Sequence, residues 1–272
     1  MIRKISLAHL TTLDLPPPQM IRIAAEIGYD AVGLRLIAVT PTTASYPLMH
    51  DAALLRETRA ALVDTGLFVN DIEFLRMTPD FAPPDYEAFL DVGAALGARH
   101  VICAPYDPDT ARLAANLSAF NALCAPRGIR PVLEFFPWTN VPDLMSACSI
   151  VDATGEEAIG ILLDALHFNR SNSSLADLAQ QALQYPHRFP FLHLCDALVQ
   201  PSYSTEELFH VGRAERLPPG LGQIDLSAIL DCMPTDTPVA LEVPMTSQQT
   251  EFGSPNVARQ VYDAAVKVLA GA

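Results

Sequence analysis

Glu134, Asp164, His193 and Glu242 each close a short apolar run. Pro131-Val132-Leu133 leads into Glu134, Ile159 to Leu163 into Asp164, Phe189 to Leu192 into His193, and Pro238 to Leu241 into Glu242. They stand 30, 29 and 49 residues apart. A strand–helix repeat takes roughly 30 residues, so the first two intervals are single repeats and the third is a repeat plus a long connection. Two glutamates, an aspartate and a histidine at equivalent strand ends form a mixed oxygen and nitrogen donor set, suited to one Mn²⁺, Mg²⁺, Co²⁺ or Zn²⁺ ion. Three carboxylates sharing a cleft repel one another and shift toward the protonated form unless a cation neutralises them. Singly, each residue means little: an acid after a strand is usually a helix N-cap or a solvated loop residue, and a lone histidine in Phe191-Leu192-His193-Leu194 is more often a core residue. Recurrence at four consecutive strand ends points to a metal site.

The elements that must carry these residues follow from hydrophobic periodicity. Apolar runs at 5–10, 31–36, 68–73, 100–103, 131–134, 159–164, 189–194 and 238–243 read as strands. Segments 19–27, 52–65, 86–96, 111–125, 175–183 and 257–269 carry apolar residues at three-to-four spacing and read as helices, several ending at Gly28, Gly66, Gly97 and Gly128. Strict alternation predicts an α/β protein with a parallel sheet. Eight strands, with no G-x-G-x-x-G after the first, predict closure into one (β/α)8 TIM barrel spanning residues 1–272, with its active site at the carboxyl ends of the strands. The connection 196–223 contains Pro201, Pro218, Pro219, Gly220 and Gly222 and is long enough to be functional.

Composition narrows the partners. Half the chain is hydrophobic, enough for a sizeable core, and the net charge is −14 with 17 scattered basic residues. That balance excludes a phosphate-tracking surface and hence a nucleic-acid partner. Five widely spaced cysteines without a C-x-x-C pair fit a reducing compartment. The apolar stretch after Arg3 and Lys4 is too short and too polar for a signal peptide, and no segment has the apolar length of a membrane span. The expectation is a cytoplasmic protein acting on a small carbohydrate-like molecule. Its oligomeric state is left open, a homo-oligomer included.

Asp164-Ala165-Leu166-His167-Phe168-Asn169-Arg170, preceded by Leu133-Glu134-Phe135-Phe136-Pro137-Trp138, resembles the xylose-isomerase-like TIM barrels, a group of sugar-phosphate isomerases and epimerases. The resemblance continues through His193-Leu194-Cys195-Asp196, Arg216-Leu217-Pro218-Pro219-Gly220-Leu221-Gly222, and Leu241-Glu242-Val243-Pro244. It implies that Glu134, Asp164, His193 and Glu242 hold one divalent metal ion, with Glu134 and Glu242 doubling as the acid–base pair. It further implies that His167 contacts a substrate oxygen, that Arg216 holds a substrate hydroxyl or carboxylate, and that Glu73 and Arg76 belong to the pocket. Arg170 is read as a substrate-binding residue or, equally, as the surface partner of a carboxylate. Arg35 points to the active-site end and could take an acidic group. The implied activity is a metal-dependent isomerase or epimerase of a sugar, keto-sugar or related polyol-derived carbonyl compound, through an enediolate. The alternative is a dehydratase of the inosose or dehydroshikimate type. Phe136 and Cys195 stand where the dehydroshikimate enzymes carry His and Lys, which weighs against that member.

Overall fold

A computed structural model describes residues 3–40 and 43–271. Eight parallel strands close in sequence order: β1 Ile5–Leu7, β2 Ala31–Arg35, β3 Phe68–Met77, β4 His100–Pro105, β5 Arg130–Glu134, β6 Gly160–Asp164, β7 Leu192–Leu194 and β8 Val239–Leu241. β8 returns to β1 through Ser6↔Ala240. The helices are α1 Pro17–Ile27, α2 Ala52–Thr65, α3 Glu87–Ala95, α4 Thr110–Cys124, α5 Leu144–Thr154, α6 Ala165–Asn169, α7 Leu175–Gln184, α8 Thr205–Arg213, α9 Leu226–Asp231, α10 Thr246–Phe252 and α11 Ser254–Gly271. The predicted TIM barrel is therefore the observed fold.

Local chemistry accounts for the helix ends. Asp51, Asp109 and Asp143 each accept backbone N–H bonds at the starts of α2, α4 and α5, and proline opens α1, where a missing N–H costs nothing. Side chains on the strands alternate between the helices outside and the barrel interior. Ile102, Val132, Leu162, Phe191 and Ala240, from β4 to β8, form a separate interior cluster. Glu134, Asp164, His193 and Glu242 each lie two residues beyond one of these interior side chains, so the pleat aims them inward at the barrel mouth.

Some bounds differ from those read off the sequence. The first apolar run leaves the sheet at Leu7 and turns into a 3₁₀ segment, His9–Thr12. His9 is a satisfied core histidine: the Arg35 N–H donates to its Nδ1 at 2.8 Å, and its Nε2 lies 3.0 Å from the Leu15 carbonyl oxygen. β3 continues past Glu73 to Met77, pairing onto β4 after a register shift between Ile72 and Leu75. Helices α5 and α8 lie where no helical periodicity was read. α5 buries one face, Leu144, Ala147, Cys148, Ile150 and Val151, while α8 buries only Gly212. Both carry capping boxes, Asp143 with Ser146 and Ser204 with Glu207.

The long connection after β7 is held by Asp196. Its buried carboxylate accepts N–H bonds from Ala197 (2.8 Å), Gly220 (3.0 Å), Gly222 (2.9 Å) and Ile224 (3.0 Å). Two antiparallel bridges, Asp196↔Leu217 and Glu215↔Met245, fasten the segment to the barrel on either side of Arg216. A Cβ at Gly222 would fall 2.4 Å from Asp196 Oδ1 and 2.6 Å from the Ala197 carbonyl oxygen. Gly222→Ala is therefore expected to cost about 1–3 kcal/mol and to lower the thermal midpoint by several degrees in differential scanning calorimetry. Leu221→Ala, one position earlier at a side chain 60% exposed, is expected to leave the midpoint unchanged.

Candidate active site

Glu134 is the last residue of β5, Asp164 the last of β6, His193 the centre of β7, and Glu242 follows β8 directly. All four are buried. The ladder sets Asp164 beside His193. His193 Nδ1 lies 3.7 Å from Glu134 Oε1, 3.6 Å from Asp164 Oδ2 and 3.5 Å from Glu242 Oε2, and one donor atom from each residue falls within 4.8 Å of all the others. Asp164 also caps α6, its Oδ1 accepting from the N–H groups of Leu166 (2.8 Å) and His167 (3.1 Å), so Oδ2 is the oxygen left to the site. Neither ring nitrogen of His193, nor Glu134 Oε1, has a hydrogen-bond partner. Buried polar atoms are ordinarily satisfied. Three carboxylates facing an unpaired imidazole, with donor atoms at this spacing, fit a divalent ion.

Burial works against the charged form throughout. It pushes the Glu134 carboxyl well above the usual carboxylate range, with Glu242 and Asp164 adding to the rise. At Asp164 burial is overcome by Arg216 and His167, which hold the carboxyl well below its ordinary value. At Glu242 His193 and Arg216 overcome it and bring the value to about 2. Burial would lower His193, but Glu242, Asp164 and Glu134 keep it well above a free imidazole. Arg216 is thus the resident cation: Nη1 donates to Asp164 Oδ2 at 2.6 Å, Nη2 forms an ion pair with Glu242 Oε2 at 2.9 Å, and Nε donates to the Gly212 carbonyl.

The remaining predicted residues separate into two groups. His167, on α6, stands with Nε2 3.9 Å from Glu134 Oε1, its ring edge-on to Phe136 and Trp138. Burial lowers it to about 4, so the ring is neutral. Glu73 pairs with Arg35 at 3.2 Å across the β2–β3 ladder, both buried. Arg76 is exposed and lies over the Tyr106 ring at 4.3 Å. Arg170 does not join the site. Its guanidinium donates to Asn169 Oδ1 at 2.7 Å, to the Leu198 carbonyl at 2.5 Å and to the Tyr203 hydroxyl. It thereby ties α6 to the connection after β7, outside the lining of the cavity above the cluster.

A cavity of about 270 Å³ opens above the cluster. Glu134, Glu242, His167 and Arg216 line it, together with Arg35, Arg213 and an aromatic wall of Phe74, Tyr106, Phe136 and Trp138. The aromatic wall was not read from the sequence, because single aromatic residues near strand ends are indistinguishable from core. Arg35 and Glu73 had a usable signal: each follows an interior position by two residues, as the four donors do.

Two outcomes follow for the isolated protein. Burial raises the Glu134 carboxyl and the neighbouring carboxylates raise His193; both changes favour protonated forms that a metal ion must displace, so affinity for Zn²⁺ or Mn²⁺ should rise with pH. Calorimetry in buffers of different ionisation enthalpy should detect the released protons, and Asp164→Asn should weaken binding at least about tenfold to a hundredfold. Arg216→Ala leaves Asp164 and Glu242 without their counter-charge and should cost the metal-free protein about 3–5 kcal/mol. Added metal should restore much of the lost thermal midpoint. A metal-free midpoint equal to the wild type would show that Arg216 is not the balancing charge.

Comparison with known proteins agrees with the geometry. Residues 21–264 match the xylose isomerase-like TIM barrel family. An inosose isomerase of Halalkalibacterium halodurans is 25% identical over 160 residues, covering 55% of this chain and 53% of the relative. The match thus spans about half that relative's length. An inosose isomerase of Bacillus velezensis is 24% identical over 230 residues, covering 79% and 78%. Among solved structures, an IolI protein with a bound zinc atom superposes with a TM-score of 0.82 at 18% identity over 98% of both chains, a likeness of fold. With eight parallel strands closed in order and the family match running from α1 into α11, the chain belongs to the xylose isomerase-like TIM barrel family.

Proposed function

We propose that this protein is a divalent-metal-dependent isomerase or epimerase of a sugar, keto-sugar or related polyol-derived carbonyl compound. The observation that carries the reading is that Glu134 and Glu242 line the cavity, from β5 and from beyond β8, while Asp164 and His193 are buried behind them. Of these four, the two that face the cavity are therefore both carboxyl groups, the pairing needed to take a proton from one face or carbon and return it to another. A divalent ion held by Glu134, Asp164, His193 and Glu242 would polarise neighbouring carbonyl and hydroxyl oxygens and acidify the C–H between them. One glutamate removes that proton, giving an enediolate, and the other delivers a proton to the product carbon. Neutral His167 offers a substrate oxygen its ring N–H, and the aromatic wall keeps water from the exposed carbanionic centre.

The inosose isomerase relatives and the zinc-bound IolI protein support a metal-dependent isomerase. A three-oxygen, one-nitrogen set also suits Mn²⁺, so Mn²⁺ and Zn²⁺ are the first ions to compare. All five cysteines are free, in keeping with a cytoplasmic place in carbohydrate metabolism. Among the described residues no helix is long and apolar enough to cross a membrane.

The test is a screen of ketoses, inososes and keto acids with added Mn²⁺ in D₂O, followed by proton NMR and mass spectrometry. An isomerase or epimerase incorporates deuterium at carbon and otherwise preserves the substrate's mass. Glu134→Gln and Glu242→Gln should each lower kcat/KM by about a hundredfold to ten-thousandfold. Loss of one water per turnover would overturn the reading in favour of a dehydratase on the same site.

A further inference from the structure

We infer that the substrate carries a carboxylate, held at the cavity mouth by Arg213 and Arg35. This deepens the isomerase reading and rests on it for the reacting carbonyl.

Cations are scarce in this chain, with 17 lysines and arginines against 31 acids, yet Arg35, Arg213 and Arg216 all line one cavity of about 270 Å³. Their circumstances differ. Arg216 is taken up by Asp164 and Glu242. Arg35 is 4% exposed and contacts Glu73 through Nη2, but its Nε has no hydrogen-bond partner. A buried N–H donor left unpaired beside a cavity is costly unless a ligand meets it. Arg213, the last residue of α8, makes no ion pair among the described residues, and its guanidinium is steadied over the Phe209 ring at 4.4 Å. Arg216 is paired with Asp164 and Glu242, and Arg35 with Glu73. The charge on Arg213 then remains, a positive spot on a molecule of net charge −14.

The rest of the lining favours such a ligand over a neutral polyol. Phe74, Tyr106, Phe136 and Trp138 make an apolar face. The Tyr106 hydroxyl already accepts from the Trp138 indole N–H at 3.2 Å, and the hydroxyls of Thr40 and Thr43 are 2.5 Å apart. Among the described residues no Asn, Gln, Asp, Ser or Lys lines the cavity, and Glu134 and Glu242 are the carboxyl groups of that lining. Side chains that could bond to a run of substrate hydroxyls are therefore few. A carboxylate, by contrast, accepts two parallel bonds from a guanidinium fork. A phosphate monoester fits less well, because it favours a glycine-rich helix N-terminus.

Three six-carbon hydroxy ketones separate the possibilities in calorimetric titrations of the Mn²⁺-loaded protein: 5-keto-D-gluconate, D-fructose and D-fructose 6-phosphate. The keto acid is expected to bind at least about tenfold more tightly than either of the others, with an affinity that falls as salt rises. Arg213→Gln, at an exposed position that folding does not require, should abolish that advantage while leaving fructose binding within about twofold, and Arg213→Lys should restore part of it. Equal affinity for fructose and the keto acid, an equal loss of both in Arg213→Gln, or no binding of the keto acid would overturn the inference. Tighter binding of fructose 6-phosphate would overturn the carboxylate in favour of a phosphate. Arg213-dependent binding of the keto acid with no deuterium exchange into any ketone would sink the isomerase reading and leave this site standing. Exchange into neutral ketoses without preference for the acid would do the reverse.

Discussion

Three carboxylates brought together out of water are unstable as anions, and the upper half of this barrel is organised around that electrostatic problem. Glu134, Asp164 and Glu242 converge on His193 within a few ångströms. Without compensation, burial and mutual repulsion would protonate them. The structure answers with Arg216, which pairs with two of the three and leaves Glu134 as the member whose carboxyl burial pushes up, toward the protonated form. A divalent ion at the same place would complete the neutralisation and favour the ionised carboxylate.

The scaffold follows from this demand. Parallel strands deliver the donors from one direction, because every strand ends at the same face of the barrel. The interior cluster of Ile102, Val132, Leu162, Phe191 and Ala240 fills the space beneath and fixes the pleat on which the donors stand. Arg216 arrives differently. It is carried on an irregular connection, whose position depends on the four N–H bonds to Asp196 and on the bridges to Leu217 and Met245. The charge that balances the site is thus supplied by a loop, and Asp196 and Gly222 serve the chemistry without touching it.

Above the donors the environment changes from ionic to aromatic. Phe136 stacks on Trp138 at 5.1 Å between centroids, and both press on the His167 ring. These faces exclude water, which strengthens every charge interaction below them. Arg35 and Glu73 form a second buried ion pair on the β2–β3 side. The mouth therefore presents one ionic row around the barrel, not four isolated ligands, with an apolar lid over part of it.

The barrel and the convergence of its four strand-end residues were legible in the sequence because both depend on local regularities. Strand and helix periods recur at fixed spacing, and a donor at a strand end repeats with them. Thus α2 falls at the predicted residues, and Glu134, Asp164, His193 and Glu242 converge as their spacing required. What only the tertiary structure decided was direction. Arg170 follows His167 by three residues, yet its guanidinium is bound to Tyr203 and the Leu198 carbonyl on the connection after β7, partners that α6 meets only in the folded chain. Arg216 follows a loop whose path depends on Asp196, 20 positions earlier. Phe74 and Tyr106 meet Phe136 and Trp138 only once β3, β4 and β5 are side by side. Nothing in a local pattern records which side chains from separate strands will share a cavity, because that is set by the closure and stagger of the whole barrel.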